Sequence, residues 1–141
     1  MTQNKELFST KECAPGKIIL LVEDDFANAS LLVEAIEQET PYKVVLAPDA
    51  LAALEVASQI KPNLFLLDYR LPRVDGISLS DQLRALKGLE DVPTLIVTAD
   101  MEIPQTELET RQIVSIGKPF DLDELLNTIE ELVNPVPSVR D

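Results

Sequence analysis

Residues 64–76 read LFLLDYRLPRVDG, and they decide the fold. Leu64–Leu67 is an unbroken apolar run with no polar alternation. Such a run suits a strand buried on both faces, as in a parallel sheet. It stops at a carboxylate, Asp68. Upstream, similar runs occur at Ile18–Val22 (IILLV) and Tyr42–Ala47 (YKVVLA). Downstream they occur at Thr94–Val97 (TLIV) and Ile113–Ile116 (IVSI), the last being the weakest.

Amphipathic stretches separate these runs. Ala29, Leu32, Ala35 and Ile36 form one stripe, closed by Pro41. Asp49 is placed to cap a second stripe of Ala50, Ala53, Leu54 and Ala57. Leu79, Leu83 and Leu86 make a third, with Gly88 and Pro93 as stops. Asp121 and Glu124 resemble a capping box before Leu122, Leu125, Leu126, Ile129, Leu132 and Val133. Met101–Gln112 carries the poorest helical pattern, with Leu108 as its one clear central anchor. Strand and helix thus alternate five times. This predicts a (βα)5, doubly wound α/β domain with helices on both faces of a parallel sheet.

Composition narrows the function. At 141 residues the chain has room for one domain with a real core. The 12 Lys and Arg against 25 Asp and Glu give a net charge of −13, which argues against nucleic acid or an anionic membrane as the main partner. With no His and one Cys (Cys13), a His-dependent triad, a His-ligated metal and a Cys-rich zinc site are excluded within these residues. Residues 1–16 are expected to be a flexible tail carrying Cys13 as an exposed thiol, residues 17–134 the folded unit and residues 135–141 a second tail. Neither a signal-peptide core nor an 18-residue apolar run is present, so a reduced, cytoplasmic setting is expected.

Chemistry belongs at the carboxyl ends of the strands, where ligands bind in such sheets. There lie Glu23, Asp24 and Asp25 after the first run, Asp68 after the third, Thr98 after the fourth and Lys118 before Pro119 after the fifth. Each alone has an ordinary reading as a cap, a turn residue or a solvated side chain, and capping is the natural role for Asp25. Together they crowd like charges that cannot all ionise without a counter-charge. A hard divalent cation with oxygen ligands, Mg²⁺ above all, supplies it, and Lys118 adds an ammonium suited to a phosphoryl oxygen.

In order and interval, LLVEDD, LLDYRLPRVDG, VTA and GKPF resemble the receiver domain of two-component response regulators, over Lys17 to Asn134. The resemblance implies a flavodoxin-like sheet of strand order 2-1-3-4-5. It implies Asp68 as phosphoacceptor. Mg²⁺ would be held by Asp24, Asp68, the Arg70 backbone carbonyl and, through water, Glu23. Thr98 and Lys118 would attend the phosphoryl group, with a cis Lys118–Pro119 bond. Pro72 and Gly76 would shape the loop, and Asp75 would have a turn role. The donor would be a histidine kinase or a His-containing phosphotransfer protein, which fits a chain that lacks His. Arg70 and Asp100 would rim the site as a pair slowing dephosphorylation. Where the family usually carries an aromatic, three positions before the lysine, this chain has Ser115, and no aromatic lies between Tyr69 and Phe120. A switch that orders or shifts Met101–Gln112 is the corresponding expectation. Three alternatives remain at this point. One is a pseudo-receiver that only binds partners. Another is a Mg²⁺-dependent aspartyl-phosphate phosphohydrolase, although Arg70 stands where its second acid would be. The last is a flavin or nucleotide module, although no Gly-rich phosphate loop is present.

Overall fold

The apolar runs become five parallel strands: β1 (Ile18–Val22), β2 (Lys43–Ala47), β3 (Leu64–Asp68), β4 (Thr94–Thr98) and β5 (Val114–Gly117). The computed structural model describes residues 16–99 and 103–135. The sheet order is β2-β1-β3-β4-β5, as expected. Five helices connect and flank the strands: α1 (Phe26–Glu39), α2 (Ala50–Ile60), α3 (Gly76–Arg84), α4 (Gln105–Arg111) and α5 (Leu122–Val133). The expectations placed on Cys13, Asp100 and the two tails' residues 1–15 and 136–141 lie outside the described residues.

β3 is the centre of the sheet, paired with β1 on one side and β4 on the other. Its alternate side chains serve two separate cores. Phe65 and Leu67 pack with Ala53, Ala57, Leu79, Leu83 and Leu108 beneath α2, α3 and α4. Leu64 and Leu66 pack with Ala29, Ile36, Leu125 and Ile129 beneath α1 and α5. A strand with apolar cover on both faces cannot afford polar alternation, which explains the uninterrupted LFLL.

Aspartates start four of the five helices. The carboxylates of Asp25, Asp49, Asp75 and Asp121 accept from the N–H groups of Asn28, Ala52, Ser78 and Asp123 at 3.1, 2.9, 2.8 and 3.0 Å. Part of the negative charge is therefore structural, meeting orphan donors and the positive end of each helix dipole. Asp75, expected only to shape a turn, is in fact the N-cap of α3. α4 has Pro104 at its N-cap position and no side-chain cap.

Two local features differ from the sequence pattern. The third stripe does not run as one helix to Gly88. α3 ends at Arg84, and Leu86 packs on the core from a tighter turn in which its N–H donates to the Leu83 carbonyl. The loop after β3 closes as a small antiparallel pair, Arg70–Leu71 against Val74–Asp75, with Arg73 at a positive φ of 71°. Pro at the first turn position and left-handed backbone at the second are what such a tight turn demands.

One polar pair lies inside the apolar layer. Ser80 on α3 and Thr94 at the start of β4 are fully buried, with their hydroxyls 2.8 Å apart. Removing one partner strands the other away from water. Thr94→Val is expected to destabilise the domain by about 1–3 kcal/mol, while Ser80→Ala with Thr94→Val recovers a large part of that loss. Urea unfolding of the single and double variants checks this. Equal or greater loss in the double variant would contradict it.

Candidate functional site

Strand register assembles the site. Val22 pairs with Leu67, so Glu23 at the end of β1 arrives beside Asp68 at the end of β3. Asp68 pairs with Val97, which sets Thr98 one step further along β4. Thr98 pairs with Gly117, and the Lys118 N–H donates to the Thr98 carbonyl at 2.8 Å. Residues 23, 68, 98 and 118 thus meet at one edge because four strands end in step. The Lys118–Pro119 peptide is cis.

The Lys118 Nζ lies 4.0 Å from Glu23 Oε1 and 4.0 Å from Asp68 Oδ1. These distances exceed a hydrogen bond, so the tie is electrostatic. Glu23 is buried, and its Oε2 accepts the Asp25 N–H at 3.0 Å, which fixes the carboxylate. Asp24 is exposed, Asp68 is partly buried and Thr98 is buried. Burial pushes the Glu23 carboxyl above its ordinary range, against the opposing hydrogen bond from the Asp25 backbone; Asp68 adds a smaller upward push. Burial also pushes Asp68 up, opposed by Lys118 and by backbone hydrogen bonds from Arg70 and Tyr69. One oxygen from each of Glu23, Asp24 and Asp68 falls within 4.8 Å of the others. Three hard oxygens with surplus negative charge and no nitrogen or sulfur ligand fit Mg²⁺. The Arg70 guanidinium lies 5.8 Å from the Tyr69 ring centroid. The Arg70–Asp100 pairing expected at the rim involves a residue outside the described set.

Gly76 lies tight against the backbone at the Asp68 end of β3. A Cβ at this position would sit 2.8 Å from the Asp68 carbonyl oxygen and 3.2 Å from the Tyr69 Cα. Its N–H donates to the Tyr69 carbonyl at 2.7 Å. The requirement for Gly is therefore close approach of two backbones, a finer reason than the turn role the motif suggests.

A family model described as the response regulator receiver domain matches residues 19–130. The chain belongs to this family. The receiver is 30% identical over 115 residues to sporulation initiation phosphotransferase F of Bacillus subtilis (strain 168), spanning 80% of this chain and 90% of that protein. It is 34% identical over 117 residues to the response regulator MprA of Mycobacterium leprae (strain TN), spanning 82% of this chain and 50% of that protein. The chain thus spans about half the length of several curated relatives. Among solved structures, the non-phosphorylated HemR receiver domain from Leptospira biflexa superposes with a TM-score of 0.73 at 31% identity, covering 86% of this chain and 97% of that one. The receiver domain of a sensor histidine kinase from Pseudomonas aeruginosa PAO1, solved with a magnesium ion coordinated in its active site cleft, gives a TM-score of 0.72 at 29% identity, covering 84% of this chain and 98% of that one.

Sequence patterning did not reveal that the Arg111 guanidinium donates to both Asp81 carboxylate oxygens at 2.8 and 3.0 Å, nor that Arg84 Nη1 donates to the Arg111 carbonyl at 2.8 Å. The Asp81/Arg84 spacing shows that both residues share a face of α3, but nothing in the sequence says that α4 ends against that face.

The raised carboxyls set a pH dependence. Between the ordinary carboxylate range and the raised values, the folded receiver holds protons on Glu23 and Asp68 more tightly than the unfolded chain does. Their contribution to stability is therefore full below the ordinary carboxylate range and is lost as pH rises through the raised values. Asp24 and Lys118 face the same pocket and set the size of the effect. In metal-free buffer at pH 7, Asp68→Asn is expected to raise the unfolding midpoint by about 2–5 °C, and the gain should vanish near pH 3. Scanning calorimetry decides it, and a lower midpoint in the variant would contradict the sign. Gly76→Ala is expected to slow phosphorylation from acetyl phosphate at least about tenfold by displacing the acceptor, with much of the fold retained. An unchanged rate would refute that role.

Proposed function

We propose that this receiver accepts a phosphoryl group from the phosphohistidine of a histidine kinase or a His-containing phosphotransfer protein onto Asp68. The observation that carries the reading is the meeting of Asp68 with Glu23, Asp24 and Lys118 at one sheet edge. An Asp68 carboxylate oxygen attacks phosphorus in line, the P–N bond breaks, and its electrons leave with the donor imidazole. The product is an acyl phosphate, which water later attacks to restore Asp68. The Lys118 ammonium faces the acceptor oxygen and is placed to balance charge on the arriving phosphoryl group. Asp24, Asp68 and the Arg70 carbonyl, with Glu23 through water, are the groups that would hold Mg²⁺. When bound, that ion offsets charge on the phosphoryl oxygens and favours the ionised form of Asp68. The protein's contribution is positioning and electrostatics.

The folded unit of this function is residues 17–134, working in the cytoplasm. No helix among the described residues is long and apolar enough to cross a membrane. The output is a conformational change passed to an effector protein. Thr98, with its buried side chain beside the acceptor strand, begins the change, and the segment Met101–Gln112, whose first two residues lie outside the described set, carries it. Ser115 replaces the aromatic that would otherwise report the hydroxyl's movement. α4 suits this part, because it is short, uncapped at its start and anchored in the core by Leu108.

Acetyl phosphate with Mg²⁺ should add one phosphoryl group per wild-type chain and none at position 68 in Asp68→Asn, read by intact mass. Equal phosphorylation of both would refute Asp68 as acceptor. Mg²⁺ titration should show at least about tenfold weaker binding in Asp24→Ala and little change in Asp25→Ala, whose carboxylate caps α1. Equal losses would shift the ligand assignment by one residue.

A further inference from the structure

A groove of about 600 Å³ lies between the start of α2 and the tip of the small antiparallel pair that follows β3. One wall is Leu51 and Leu54, a turn apart on α2, with Pro48 ahead of them, and the other is Pro72 and Val74. It shares no lining residue with the acidic cluster, and neither Thr98 nor Lys118 reaches it, so it is separate from the phosphoacceptor pocket. Leu54 and Val74 pack on the core, whereas Leu51 is 68% exposed. A lone surface leucine is ordinary. This one is the lip of a concave apolar surface whose inner side chains rest on the core, and concavity with apolar lining is what small-molecule sites share.

The polar groups of the lining are few and lean towards donors. The Asp49 carboxylate accepts the Ala52 N–H at 2.9 Å and is engaged in capping α2. Arg73 stands at the tip of the antiparallel pair, and Gln82 comes from α3. Among the described residues, neither of these two side chains has a hydrogen-bond or ion-pair partner. Arg73 also holds a left-handed backbone, φ 71°, that a residue with a Cβ rarely adopts. Glycine or asparagine would serve such a turn with less strain. What arginine adds at this tip is a cation beside an apolar groove, in a chain whose net charge is −13. A guanidinium and a primary amide next to aliphatic walls match an acceptor-rich head on an apolar body. A carboxylate is the head that a guanidinium meets with two parallel bonds. A cationic head would face Arg73 unfavourably and find Asp49 already engaged.

We infer that this groove binds a small amphiphilic carboxylate, its aliphatic body between Leu51 and Val74 and its head on Arg73 and Gln82. The site does not depend on the phosphoacceptor reading and is tested without metal or phosphate. Octanoate is the probe, kept below its micellar range and titrated at pH 7 into the full isotope-labelled chain while amide resonances are followed by NMR. Saturable shifts should converge on Ala50, Leu51, Leu54, Val74 and Gln82, with a dissociation constant of about 1–10 mM for so small a ligand. Arg73→Asn keeps a residue suited to positive φ and removes the cation, and it should weaken binding at least about threefold. Leu51→Glu changes an exposed side chain and should weaken binding at least about tenfold. Octyltrimethylammonium, with the same chain and a cationic head, should leave these amides unmoved. Absence of saturable shifts at the groove with octanoate would overturn the site. Equal binding of the two amphiphiles, or undiminished octanoate binding in Arg73→Asn, would overturn the carboxylate assignment. Shifts of the same amides on concentrating the ligand-free protein would give the groove to a second copy of the chain and overturn the small-ligand reading.

Discussion

Three carboxylates share one ammonium at the carboxyl edge of this sheet. Lys118 is 4.0 Å from both Glu23 and Asp68, and Asp24 completes the acidic group. The arrangement is costly in the resting protein. Burial lifts Glu23 and Asp68 above the ordinary carboxylate range, with smaller upward pushes on Glu23 from Asp68 and on Asp68 from Asp24. A fold that holds such a cluster carries an electrostatic debt that a divalent cation and a phosphoryl group are suited to settle together. The rest of the chain can be read as what keeps these four side chains in register.

That register comes from the sheet. β3 is covered on both faces and paired on both edges, so its end is fixed in three dimensions. Gly76 then lets the following helix approach the Asp68 backbone closely, where any Cβ would meet the carbonyl at 2.8 Å. The aspartate caps of α1, α2, α3 and α5 begin those helices within a few residues of strand ends. Among the helices of the described residues, α4, close to Thr98, is the one without such a cap.

Much of this was legible in the sequence, for physical reasons that can be named. Doubly covered strands must be continuously apolar, so IILLV, LFLL and TLIV announce themselves. Ligand-bearing residues of a parallel sheet fall just after such runs, so Glu23, Asp24, Asp68 and Thr98 could be found by position, and Lys118 by its place after the weakest run. Other features depend on contacts between distant segments and leave no local pattern. The early end of α3 follows from a tight turn around Leu86. The cap made by Asp75 depends on where α3 begins relative to the small antiparallel pair. The Asp81–Arg84–Arg111 contacts require α4 to stop against α3, which neither helix's periodicity encodes.

The central claim is chemical: Asp68, among three neighbouring acids, is the group that becomes an acyl phosphate. Borohydride reduces an acyl phosphate of aspartate to homoserine, which marks the acceptor permanently. The receiver, loaded with acetyl phosphate and Mg²⁺, reduced and mapped by peptide mass spectrometry, should carry homoserine at position 68 and at no other aspartate. Homoserine at Asp24 or Asp25, or recovery of every aspartate unmodified from a chain shown by intact mass to be phosphorylated, would contradict the account.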